Sequence, residues 1–328
     1  MRRTMRFLLG ALIVSICSLA GAQTFSVTSP TDNAFLGTTN QVKFLITGIF
    51  VGVNVKAVAT GPGGVVFSSE GDFEPNAQGE IDNQLTLNIQ QGSPEGAYTI
   101  LVEAKRRSDN SIIGSDTIPV TLDLTKPKFL QFNPINGTFV RGNVTINVKV
   151  QEPNFKDYRV QVNSNDIPNN TGTTLTNDEF TVLWNTAGIQ FDGAQSIGIR
   201  LRDLANNEDN RTISVTLDRV APSVTILQPR SDTFLRRRSN ISVAIDIVDV
   251  SSTSVDVTGV EVVARTLSGA YICHVARESF RGTSATMMRW TGRLRFRNTL
   301  PTSFKIVVNV TDRAGNVAVQ QEVIVTYR

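Results

Sequence analysis

His274 is the only histidine in this 328-residue chain, and that limits its chemistry at once. A Ser–His–Asp triad, a Cys–His dyad and a multi-histidine metal centre all need an imidazole placed beside a second specific group. No GxSxG, HExxH or GxxxxGK[ST] pattern occurs. Asp246 and Asp249 are the closest thing to paired carboxylates, but their spacing does not define the two-carboxylate geometry of a glycosidase. No enzymatic activity is expected. In "AYICHVA" the alternation puts Tyr271, Cys273 and Val275 on one strand face, where Cys273 reads as a small buried hydrophobe, and leaves His274 on the outer face.

Two other residue patterns could recognise a ligand. In "GRLRFRN", Arg293, Arg295 and Arg297 alternate with Leu294 and Phe296, so a strand that buries the two apolar residues lines up three guanidinium groups on its outer face. Arg236, Arg237 and Arg238 add a second basic cluster. Arg pairs bidentately with carboxylate and phosphate, so these six residues form a candidate anion-binding surface for an acidic protein, a glycan, an envelope glycolipid or, as the least expected of these, nucleic acid. The competing reading is that the row keeps an exposed strand soluble and guards an edge. Calcium is the second possibility. Asp203, Asn206, Asp209 and Asp218 offer oxygens around the end of one repeat, yet "DLANNEDN" has neither EF-hand nor RTX spacing, and turn formation accounts for the same residues. No cofactor is therefore expected, with calcium at these four residues the alternative.

Charge and cysteine content narrow the class. The N-terminal "MRRTMRFLLGALIVSICSLAGA" has Arg2, Arg3 and Arg6, an apolar run and small residues at Ala20 and Ala22, the pattern of a secretory signal peptide over residues 1–22. Cys17 follows Ile16 rather than a small residue, so lipidation is not expected. The formal net charge of +3 equals those three arginines, so the mature chain is balanced. Nucleic acid is accordingly not an expected partner. The balance is uneven along the chain: residues 23–124 are acidic, 125–219 neutral and 220–328 basic. Removing the leader leaves Cys273 alone, which excludes an internal disulfide. No membrane span is expected in the mature chain.

The elements that would position these residues come in three copies. "FSVTSPTDNAFLGTTNQVKFLI" from Phe25, "FLQFNPINGTFVRGNVTINVKV" from Phe129 and "VTILQPRSDTFLRRRSNISVAIDI" from Val224 share an alternating run, a proline, a polar turn, an aromatic residue and a second alternating run. The copies end alike too, in "GAYTILVEAKRRSDN", "QSIGIRLRDLANN" and "TSFKIVVNVTDRAGN", each followed by one more alternating strand. Period-2 alternation broken by Gly, Asn, Asp and Pro marks antiparallel strands with one face in a core. About 100 residues and roughly seven strands per copy is the size of an immunoglobulin-like sandwich. The prediction is an all-β chain of three tandem Ig-like domains, at 23–124, 125–219 and 220–328, with Trp184 and Trp290 in or near cores. The Asp of "VTDRAGN" is expected to end a strand and accept hydrogen bonds from the turn that follows.

The "LRDLANN" and "VTDRAGN" hairpins, with the joints "LDLTKPK" and "LDRVAPS", resemble tandem bacterial Ig-like domains of cell-surface and secreted proteins. The first copy departs from that pattern, with "KRRSDN" at the turn. The resemblance implies an exported protein, periplasmic, surface-bound or extracellular, that adheres, spaces or contacts envelope proteins or glycans. The polyanion- or glycan-binding module built on the Arg row is the alternative function. Self-association is a further partner class, since an acidic first domain could meet the basic third domain of another copy.

Overall fold

The computed structural model describes residues 22–231, 233–235, 240–249, 259–282, 287–296 and 301–327. The expected leader, apart from Ala22, lies outside the described residues, as do Arg236, Arg237, Arg238 and Arg297. Every described regular element longer than a single turn is a β-strand. The chain divides into two compact units, residues 1–125 with 204–207, and 126–203 with 208–328.

The first unit contains β1 (Thr24–Ser29), β2 (Ala34–Leu36), β3 (Thr39–Thr47), β4 (Val53–Thr60), β5 (Val66–Phe73), β6 (Glu80–Asn88), β7 (Gly96–Arg106) and β8 (Ile112–Leu122). They form two sheets, ordered β1-β3-β6 and β2-β8-β7-β4-β5. Alternation decides which face is inward: Val53, Val55, Ala57 and Ala59 of β4 and Tyr98, Ile100, Val102 and Ala104 of β7 are buried. They meet Val42, Phe44 and Ile46 of β3 and Leu85 and Leu87 of β6 in one core. Each large apolar side chain buried this way contributes about 1.5–3 kcal/mol. Pro30 explains the shared motif at the start of each copy. It has no N–H to donate, so pairing of β1 with β3 stops there and the chain crosses to the other sheet, where β2 runs parallel to β8.

The second unit opens with the same arrangement. Its strands are β9 (Lys128–Asn133), β10 (Phe139–Val140), β11 (Asn143–Gln151), β12 (Phe155–Val162), β13 (Asn165–Gly172), β14 (Glu179–Asn185), β15 (Gly193–Asp203) and β16 (Glu208–Leu217). The sheets are β14-β11-β9 and β10-β16-β15-β12-β13, matching the first unit strand for strand. Trp184 is 1% exposed, and the Tyr158 and Phe180 rings stack 3.8 Å apart between the layers.

The remaining strands are β17 (Ser223–Gln228), β18 (Thr233–Leu235), β19 (Ile241–Val248), β20 (Val260–Thr266), β21 (Tyr271–Gly282), β22 (Met287–Leu294), β23 (Ser303–Val310) and β24 (Gln321–Tyr327). Here the hydrogen bonding is continuous through eight strands, because the 12-residue β21 serves both layers. Its first residues pair with β20; from Val275 onward it pairs with β22, past a register shift between Val275 and Arg277. A bulge of this kind lets one strand turn the corner between two packed sheets. Trp290, fully buried, fills this third core with Phe304 and Ile245. The all-β, three-sandwich, immunoglobulin-like architecture is thus present, each copy closing its own core.

Candidate functional site

Within the second unit, the turn after β23 shows what "VTDRAGN" does. The Asp312 amide donates to the Asn316 carbonyl (3.0 Å), and the Gly315 amide donates to the Asp312 carbonyl (3.1 Å). Gly315 sits at φ +86°, a conformation that glycine adopts without steric cost. The Asp312 carboxylate then closes the turn: Oδ1 accepts from the Asn316 amide and Oδ2 from Asn316 Nδ2, both at 2.8 Å. The second Asn316 amide hydrogen goes to the Asp218 carbonyl in the linker between sandwiches, at 3.0 Å. Arg141 Nε adds a bond to the Ala314 carbonyl at 3.1 Å, and the Arg313 guanidinium lies 5.7 Å over the Phe139 ring. The turn of the third sandwich is therefore fastened to both the linker and the body of the second. In the first unit, Asn207 Nδ2 likewise donates to the Asp123 carbonyl, at 2.7 Å.

The same turn holds a feature that turn chemistry alone does not require. One carboxylate oxygen each from Asp218, Asp249 and Asp312 lie within 4.8 Å of one another, and the three residues are 0%, 1% and 3% exposed. Asp249 directly follows β19, and Asp218 follows β16, where its Oδ1 accepts from the Val220 amide at 3.2 Å. At an effective permittivity of about 20, unit charges at that spacing repel by at least roughly 3.5 kcal/mol per pair. A hard divalent cation is the ion such oxygens hold: Ca²⁺ takes six to eight oxygen ligands, and three carboxylates can supply as many as six. The cluster contains no imidazole, thiol or amine, so its chemistry is that of cation holding.

The four calcium candidates read from the sequence do not converge. Asp203 and Asp209 sit near the end of the β15–β16 hairpin where Arg202 pairs with Glu208; Asp218 lies beyond the other end, where Gly193 pairs with Leu217. Nine residues of strand separate these ends, about 30 Å. Asn206 occupies the turn at φ +67°. Closeness around a hairpin in sequence is not closeness in space, and the partners of Asp218 come instead from Asp249 and Asp312. A signal for this existed: Asp123, Glu152 and Asp203 occupy the corresponding strand ends and joint one repeat earlier.

Asp246, three residues before Asp249, does something different. It faces Arg289 across β19 and β22, and the guanidinium binds it bidentately at 2.7 Å twice over, which holds the Asp246 carboxyl below its usual range. Of the expected arginine row, Arg293 and Arg295 are exposed, while Leu294 is buried and Phe296 meets Phe304 edge-on at 5.4 Å. Cys273 packs against the third core, and burial pushes its thiol up to about 11. Tyr271 does not share its face. A register shift between Ala264 and Arg265 breaks the alternation, leaving Tyr271 exposed with its hydroxyl 2.7 Å from His274 Nδ1. No helix among the described residues is long and apolar enough to cross a membrane.

No family model matches the sequence, and no curated protein does. Among solved structures the chain is similar to fibronectin(III)-like modules of Clostridium thermocellum CbhA, with 12% identity and a TM-score of 0.40 over 62% of this chain and 94% of that one. It is similar to an I-band fragment of titin, with 10% identity and a TM-score of 0.35 over 94% of this chain and 100% of the other. It is also similar to a Ca²⁺-stabilised adhesin with which an Antarctic bacterium binds ice, with 16% identity and a TM-score of 0.32 over 94% and 75% of the two chains. At these identities the likeness is one of β-sandwich fold.

Proposed function

We propose that this chain is a non-enzymatic tandem-repeat protein that works at the bacterial envelope after export, as an adhesion, spacer or structural interaction component. The observation that carries the reading is the fastened joint of the second unit. Asn316 holds the linker at Asp218, and Arg141 holds the turn at Ala314, so one sandwich constrains the next. A protein that positions a surface at a distance needs such joints. Pulsed electron spin resonance between labels on the second and third sandwiches of the full chain tests this: a narrow distance distribution that broadens in Arg141→Ala/Asn316→Ala supports it. An equally broad distribution in both proteins counts against it. The exposed Arg293 and Arg295 are the surface this reading offers to an anionic protein or glycan, the alternative role.

A second reading, calcium stiffening of the same joint, is favoured by the three buried carboxylates of Asp218, Asp249 and Asp312. Extracellular modules hold calcium with dissociation constants of about 0.1–1 mM. Calcium added to chelator-treated protein should raise its melting temperature in that range, and a melting temperature unmoved at about 10 mM rejects the reading.

A further inference from the structure

We propose that the outer face of the second sandwich carries a pocket for a carboxylated saccharide, on the sheet formed by β16, β15 and β12. Strand register puts Arg159, Arg200 and Asn210 in one row across the three strands, and Gln161, Gly198 and Thr212 in the next row. Neighbouring residues Val160, Ile197 and Ile199 point into the core, so both rows face outward. The six residues line a cavity of about 340 Å³.

Its charge arrangement needs an explanation. Arg159 and Arg200 stand directly opposite each other on adjacent strands, a placement that destabilises a sheet when the charges are alike. Asp166 takes Nε and Nη2 of Arg159, at 3.0 and 2.6 Å. Arg200 is less fully engaged. Its Nη2 reaches Asp157 at 3.3 Å, but Asp157 is already held by Arg202 at 3.1 and 2.5 Å. Its Nε is buried without a hydrogen bond, 3.9 Å from Glu208. A guanidinium has five donors, and Arg200 commits one. An oxyanion in the cavity would take the uncommitted Nη donors and relieve the repulsion across the strands.

The remaining walls specify what carries the oxyanion. Carboxamides from Gln161 and Asn210 and the hydroxyl of Thr212 match sugar hydroxyls, and no aromatic residue lines the cavity to favour an apolar ligand. Gly198 provides the floor: a methyl group there would meet no atom within 4 Å, so the dip exists because the side chain is missing. The volume is within the range of small-molecule sites, about 300–1,000 Å³. The pocket deepens the envelope-contact reading and rests on it only for the expectation that a glycan is encountered.

The test is calorimetric titration of the full chain with trigalacturonate, galactose trimer and inorganic phosphate, using wild type, Gly198→Val and Arg200→Gln. Gly198→Val fills the floor with a residue that strands favour, so its melting temperature should not fall. Wild type should bind trigalacturonate saturably and not the neutral trimer, and both variants should weaken binding roughly tenfold or more. Absence of saturable binding, equal binding of the neutral trimer, or unchanged affinity in Gly198→Val overturns the pocket. Competition by phosphate as strong as by trigalacturonate overturns the saccharide assignment. If binding fails while the chain is still retained on envelope material, the pocket falls and the adhesion reading stands.

Discussion

Asn316 Nδ2 lies 2.8 Å from Oδ2 of Asp312 inside its own turn and 3.0 Å from the Asp218 carbonyl of the preceding linker. One carboxamide therefore closes a hairpin and fixes a joint with the same two hydrogens, and both residues it serves are buried. Asn316→Ala leaves two buried acceptors without that donor. The expected loss is about 1–3 kcal/mol, read by chemical denaturation, with a broadened distance distribution across the joint. A variant as stable as wild type would place the joint's strength elsewhere.

Much of this was legible in the sequence, for physical reasons that differ from element to element. The inward faces of β4 and β7 are written as alternation because one side of each strand is in oil and the other in water. The Asp312–Asn316 turn is written as residue types, since Gly315 must reach positive φ and Asp312 must accept from its own turn. The carboxylate cluster is not written locally at all. Asp218, Asp249 and Asp312 meet only because three strand ends from two sandwiches converge, and the sequence placed the acidic ligands around one hairpin instead. Arg159 and Arg200 are likewise invisible as a pair until the β12–β15 register sets them opposite each other. Tyr271 fails for a third reason, a bulge that resets the two-residue period.

Asp249→Asn distinguishes a cation site from an incidental cluster. The substitution keeps the side chain's size and removes one of the three clustered carboxylates. The same substitution should shrink the calcium-dependent rise in melting temperature by most of its size. Equal calcium responses in the two proteins would mean that the cluster holds no ion.

The Asp246–Arg289 pair sets an acid limit with a definite sign. The hydrogen bonds from Arg289 hold the Asp246 carboxyl below the unfolded value of about 3.9. Its contribution to stability is therefore present above that value and is lost as pH falls through the lower, folded one. Asp157 behaves alike: burial acts to raise it, and Arg202 and Arg200 outweigh that and lower it. Asp246→Asn should reduce stability at neutral pH and flatten its decline below about pH 4, measured as unfolding free energy against pH. An unchanged acid limb would show that the pair contributes nothing measurable.

Gly315 tests whether the turn and the second sandwich are energetically coupled. An added methyl at φ +86° is strained by the backbone alone, and it would also come within 3.4 Å of Arg141 Nε, the group that donates to the Ala314 carbonyl. Gly142 offers the matched comparison: its φ is +61°, and a methyl there meets nothing within 4 Å. Gly142→Ala should cost about 1 kcal/mol from backbone strain. Gly315→Ala should cost that and more, because a turn that relaxes the strained φ shifts the Ala314 carbonyl away from Arg141 Nε. Adding Arg141→Ala should erase the excess, since the bond to Ala314 would then already be absent. Thermal unfolding of these three variants and of Arg141→Ala alone measures the difference, and equal costs for the two glycine substitutions would mean that Arg141 does not couple the turn to the second sandwich.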